Sequence, residues 1–187
     1  MTTARLDLSK IQNALTKLEK VSKRSVKVGV LAEAQYGNGI KVSDVANILE
    51  NGWVQRVTPK QSAFLKHHGL KVSPGSTLNC PPRPFFSNTV KNKSDQWVKL
   101  GERYFLANFS IENADDAVTK GLTAIGTKAA ADIQDTLYDN DGIAPRSEAT
   151  LKMYSSAENA TEDSGTGRKQ SLYKSGKLFN AITFELV

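Results

Sequence analysis

The sequence predicts an α+β fold: a small mixed or antiparallel sheet packed against two long helices, with an N-terminal amphipathic helix and a long polar arm. Three observations predict it. Residues 25–31, SVKVGVL, set Val26, Val28 and Val30 against Ser25, Lys27 and Gly29, the period of a half-buried strand. From about Asn113 to Tyr138, Ala117, Val118, Leu122, Ile125, Ala129, Ile133 and Leu137 recur at helical spacing and face inward. The closing AITFELV alternates Ile182, Phe184 and Leu186, a strand expected to tie the chain end into the sheet.

The other elements follow in order. Leu6, Leu8, Ile11, Leu15, Leu18 and Val21 step by three and four residues with lysines between them, so the chain opens on an amphipathic helix. After the first strand, Gly37-Asn38-Gly39 marks a turn. Ser43 is expected to cap the next helix, with Asp44 in its first turn, Val45, Ala46, Ile48 and Leu49 on its apolar face, and Asn51-Gly52 as its stop. VQRVTP returns extended, KQSAFLKHHG is a turn or two of helix ending at Gly69, and LKVSPGSTLNC reads as a short hairpin around Pro74-Gly75. A long helix starts at Phe85, with Phe86, Val90, Trp97, Val98, Leu100, Tyr104 and Phe105 as its stripe. Residues 139–172, including SSAENATEDSGTGRKQS, are too polar to form a core and are expected to be an extended or flexible arm. Ser175 then caps a short helix, GKLFNA, before the final strand; the count is four or five strands.

The 187 residues suit a single domain, 1–187, including that arm. The formal charge of +6 favours acidic partners without naming one. Residues 1–30 hold seven Lys/Arg against Asp7 and Glu19, and the remainder is close to balanced. The lone Cys80 excludes an intrachain disulfide and any multi-cysteine metal site, and fits a reducing cytoplasm during assembly. The N-terminus has no signal-peptide core and no run is long enough to span a membrane.

No catalytic constellation emerges. His67 and His68 are adjacent, so on a helix they point about 100° apart and do not converge on one metal or substrate. Cys80 lies directly before Pro81-Pro82, with neither histidine obviously placed to activate it. In SGTGRKQS, residues 164–171, the glycines are two apart and the flanks polar, unlike a phosphate loop. Asp115-Asp116 sit where a helix N-terminus stabilises negative charge. The expectation is a non-enzyme with neither cofactor nor metal.

NCPPRPFFSNTV, residues 79–90, is the least ordinary stretch. Its three prolines exclude helix or central strand, yet two phenylalanines follow at once. The spacing permits either a loop feeding a core helix or a clamp against a partner.

KVGVL (27–31), VANILENGW (45–53), VTPKQSAFL (57–65), PPRPFFSNTV (81–90), APRSEATLKM (144–153) and SLYKSGKLFNAITFELV (171–187), taken in order, resemble the tail-completion and neck proteins of tailed bacteriophages, the virion-morphogenesis and tail-component families. The sequence departs from that pattern at Ser171, where the family has Pro, at Ser175, where it has Thr, and in the longer stretch between Met153 and Ser171. The resemblance implies a structural virion protein of the phage neck that completes or terminates the tail and mediates head–tail joining. It implies a ring of copies, six-fold, stacked on the tail tube, with tail-tube and head–tail connector proteins as partners, transient contact with DNA in the channel and no membrane. The protein would be made in the host bacterial cytoplasm and end in the virion. It also implies that Pro84 belongs to a rigid turn opening the long helix, and that Phe85 or Phe86 inserts into the core. Arg83 would pair with a carboxylate of the same or a neighbouring subunit, and Ser175, Gly176 and Leu178 belong to the terminal motif. The alternative from another class is a basic nucleic-acid-associated protein contacting DNA through residues 1–30.

Overall fold

A computed structural model of the protein describes residues 8–31, 33–37, 39–110, 112–139 and 176–187. The elements run α1 (Leu8–Val21), β1 (Val26–Val30), α2 (Val42–Asn51), β2 (Trp53–Arg56), α3 (Pro59–His67), β3 (Thr77–Cys80), α4 (Phe85–Asn108), α5 (Ala114–Asp139), α6 (Lys177–Ala181) and β4 (Ile182–Leu186). The fold is α+β as predicted, but among the described residues the strands form two separate two-stranded antiparallel sheets rather than one. Beyond Asp139, the expected polar arm lies outside the described residues, as does Ser175.

The first sheet pairs β1, which follows α1, with the last strand of the chain. β1 pairs with β4, Val28 facing Phe184 and Val30 facing Ile182. Ser25 and Val187 extend the ladder with reciprocal backbone hydrogen bonds of 2.8 Å. α5 packs against this sheet on one side and against α4 on the other. Its predicted inward residues divide by depth: Ala117, Ala129, Ile133 and Leu137 are buried, whereas Val118, Leu122 and Ile125 are half-buried.

Small residues let these layers approach. A Cβ on Gly126 would come within 2.4 Å of the Phe184 ring and 2.9 Å of Val26 Cγ2. One on Gly101 of α4 would meet Ile125 at 2.4 Å. Trp97 and Phe85 of α4 are buried, but Val98 and Tyr104, expected on its apolar stripe, face outward; Thr89 and Gly101 take inward positions instead. Counting apolar residues missed this because the crossing with α5 selects for small size as well as hydrophobicity.

Two local expectations need correction. Ser43 does not cap α2: Lys41 holds the N-cap position with extended backbone and no side-chain cap. Val42 is wholly buried and donates its N–H to Ala34 O at 2.9 Å, so core packing sets the helix start. Nor do residues 70–80 form their own hairpin. The turn at Pro74-Gly75 exists, but Gly75 donates to Val57 O and Val57 to Ser76 O, both at 2.8 Å, and β3 pairs with β2. Residues 70–72 are held beside α3, where Ser62 Oγ donates to Val72 O at 2.6 Å. Around the expected Gly37–Gly39 turn, Gly39 N donates to Tyr36 O at 2.9 Å and a Gln35–Lys41 bridge closes the segment; Asn38 itself lies outside the described residues.

Candidate functional site

The proline-rich stretch is where four elements meet. Pro84 occupies the N-cap of α4 and carries no side-chain oxygen, so it cannot satisfy the free N–H groups of the first turn. Glu50, in the last turn of α2, does so instead. Its Oε2 accepts from Phe86 N at 3.0 Å and its Oε1 from Ser87 N at 2.9 Å. A carboxylate at that position also complements the positive end of a 24-residue helix.

The chain beside Glu50 is equally constrained. Arg83 N donates to Leu49 O at 2.8 Å, fastening the turn to α2. Gly52 has φ +70°, and a Cβ there would lie 2.6 Å from Cys80 O and 2.7 Å from Pro82 N. The contacting atoms are backbone, so no side chain fits without moving the turn.

Phe85 is the phenylalanine that enters the core, at 2% exposure; Phe86 is only half-buried. Leu178, buried at 4%, belongs to the same cluster, with Val42, Ile133, Leu137 and Ile182. The two motifs implicated by resemblance, which lie far apart in the chain, thus meet in one core. Gly176 takes the N-cap of α6 in the left-handed region, φ +67°. Phe85, Phe86, Glu50, Ala46 and Ile182 line a cleft of about 330 Å³ between α2, α4 and β4.

Arg83 is buried, at 7% exposure, and its Nη1 donates to Cys80 Sγ at 2.9 Å. Sequence reasoning looked to the histidines for a basic group near Cys80; the turn instead folds Arg83 back onto it. His67 ends α3 and His68 is its C-cap, their rings edge to face with centroids 5.5 Å apart. Among the described residues no group of three or more His, Cys, Asp or Glu side chains is gathered to hold a metal ion, and no helix is long and apolar enough to cross a membrane.

Sequence reading missed a buried polar centre between α4 and α5. Asp132, 6% exposed, accepts the Trp97 indole N–H at 2.7 Å and Lys128 Nζ at 2.7 Å. Burial pushes this carboxyl up, but the hydrogen bonds from Lys128 and Trp97, with the charges of Lys128 and Lys93, outweigh it and hold the group below its ordinary value. The i,i+4 spacing of Lys128 and Asp132 was a visible signal for half of this centre. Thr89 and Thr136 continue the polar seam at 2.7 Å.

Comparison with protein-family models, with curated proteins and with solved structures finds no match to this chain.

Proposed function

We propose that the protein is a structural component of a phage neck, completing or terminating the tail and helping to join it to the head as a ring of identical copies. The observation that supports this reading is that four of the six stretches bearing the resemblance meet in one part of the fold. KVGVL forms β1, VANILENGW places Glu50 in the last turn of α2, PPRPFFSNTV starts α4 on that carboxylate, and the terminal stretch supplies Leu178 and the strand paired with β1. These four stretches pack as one structural unit; VTPKQSAFL lies apart from it on α3, and APRSEATLKM lies outside the described residues.

The exposed surface agrees with a subunit that is completed by neighbours. Both sheets have only two strands, so among the described residues every strand leaves one edge unpaired. Leu106, Val54 and Leu15 are 71%, 70% and 60% exposed. Apolar side chains and open edges of this kind suit contact between copies. In this reading the chemistry is geometric: the Glu50-capped turn holds α4 rigid, and no covalent step is involved.

The alternative, DNA contact through residues 1–30, has weaker support. Lys17, Lys20 and Arg24 do line a cleft of about 220 Å³, but Glu112 and Asp115 line it too, and Arg24 pairs with Asp115 at 2.8 Å.

Electron microscopy of particles from a phage carrying an early amber stop in this gene tests the proposal. DNA-filled heads beside separate tails are expected; normally joined particles would overturn it.

A further inference from the structure

The near balance of charge outside residues 1–30 conceals a segregated stretch. Residues 53–80 contain Arg56, Lys60, Lys66 and Lys71, two histidines and not one carboxylate. The fold makes this stretch a lobe. β2 and β3 pair with each other, and α3 makes no extensive contact with another element and buries none of its residues. All four cations are exposed, and none pairs with a carboxylate among the described residues.

The surface is also organised. The lobe's helix is fixed at its start by a reciprocal capping box, Gln61 N donating to Thr58 Oγ1 at 3.2 Å and Thr58 N to Gln61 Oε1 at 2.9 Å. Lys60, Phe64 and His67 fall at i, i+4 and i+7 of α3 with His68 one residue on, so they share a face. The Phe64 ring lies against His68 with centroids 4.5 Å apart, and His68 meets His67 edge to face. The face offers the exposed Lys60 ammonium and the His67 imidazole beside a Phe64 ring that is 54% exposed. A surface of donors and cations with no acceptor charge is complementary to a row of phosphates.

We infer that the β2–α3–β3 lobe is a docking surface for the phosphate backbone of double-helical DNA, with Lys60 on the Phe64–His67 face of α3 and Lys66 and Lys71 flanking that face as the main contacts, and Phe64 as the residue that positions His68. This inference goes beyond the neck reading and does not rest on it: joined particles in the amber experiment would leave it standing.

The test is fluorescence anisotropy of the full chain with a labelled duplex of about 30 bp across roughly 50 to 200 mM salt. Two charge-matched triple variants are compared, Lys60→Gln/Lys66→Gln/Lys71→Gln in the lobe and Lys17→Gln/Lys20→Gln/Lys23→Gln in α1. The lobe variant is expected to weaken binding on the order of tenfold or more and to lower the slope of log affinity against log salt by about 2 to 3. The α1 variant is expected to change affinity by less than about threefold. Phe64→Ala should weaken binding several-fold, and Phe64→Tyr, which keeps the ring, should restore it. Circular dichroism verifies that the variants are folded. The proposal is overturned if the unaltered chain fails to bind, if both triple variants lose affinity equally, or if the lobe variant keeps its affinity. Retained DNA binding together with lost self-association in sedimentation would assign the lobe to a second copy of the chain instead.

Discussion

The indole N–H of Trp97 points at Asp132 Oδ2 across the α4–α5 crossing, 2.7 Å away, and the other carboxylate oxygen is held by Lys128. A carboxylate this deeply buried is tolerated because both oxygens are satisfied and a cation is adjacent. Its depressed folded-state pKa fixes the direction of the pH effect. The contribution to stability is present above the unfolded-state value and is lost as pH falls through the folded one. Asp132→Asn should therefore flatten part of the acid limb of a stability–pH profile and cost about 1–3 kcal/mol near neutrality, read by urea unfolding. An unchanged acid limb would show that Asp132 is not the group responsible.

Removing the donor instead of the acceptor probes the same pair. Trp97→Phe keeps most of the buried ring but leaves Asp132 Oδ2 without its partner, at an expected cost of about 1–3 kcal/mol. Because the two residues share one hydrogen bond, the double variant Trp97→Phe/Asp132→Asn should lose less than the sum of the singles. Strict additivity in chemical denaturation would deny the coupling.

Glu50 caps α4 from another helix, so its loss should register as a helix-capping defect without a cavity. Glu50→Ala is expected to lower stability by about 1–2 kcal/mol. Glu50→Gln keeps an acceptor and should recover part of that. Hydrogen exchange should show faster exchange at the Phe86 and Ser87 amides specifically. Protection there equal to that of the unaltered chain would count against the cap.

The two phenylalanines should be unequal. Phe85→Ala opens a cavity beside Leu178 and Ile133 and is expected to cost about 3–5 kcal/mol. Phe86→Ala, at a half-buried position lining the cleft, should cost roughly half as much. Thermal unfolding of both variants decides the ranking, and the reverse order would contradict the placement of Phe85.

Gly126→Ala is a residue swap that raises helix propensity by about 1 kcal/mol yet should destabilise. The added methyl meets the Phe184 ring at 2.4 Å, and a ring cannot bend aside as the end of a flexible chain can. Overpacking of this kind costs about 1–3 kcal/mol. Replacing Phe184 with Leu in the same chain should relieve part of it; a stabilised Gly126→Ala single variant would mean that α5 and the sheet lie further apart than described.

Local pattern was enough to read the type of nearly every described element. Alternating valines made β1, a terminal alternation made β4, and long runs at helical spacing made α4 and α5, because these periods are properties of a chain a few residues long. The Thr58–Gln61 capping box was equally legible in TPKQ, although it went unread. Partners were not legible. That β3 joins β2 rather than folding on itself, that Glu50 rather than a neighbour of Pro84 caps α4, and that Arg83 turns back onto Cys80 all depend on residues brought together by the fold. The same limit explains Ser43, a good cap by type that lost its position to the burial of Val42, and Tyr104, an aromatic that yielded the crossing to Gly101. Propensity and capping differ by about 1 kcal/mol between neighbouring choices, whereas burying or overpacking one side chain changes several. Sequence by itself therefore determined where helices and strands form, and tertiary packing decided where they begin, which face is covered and which residues meet.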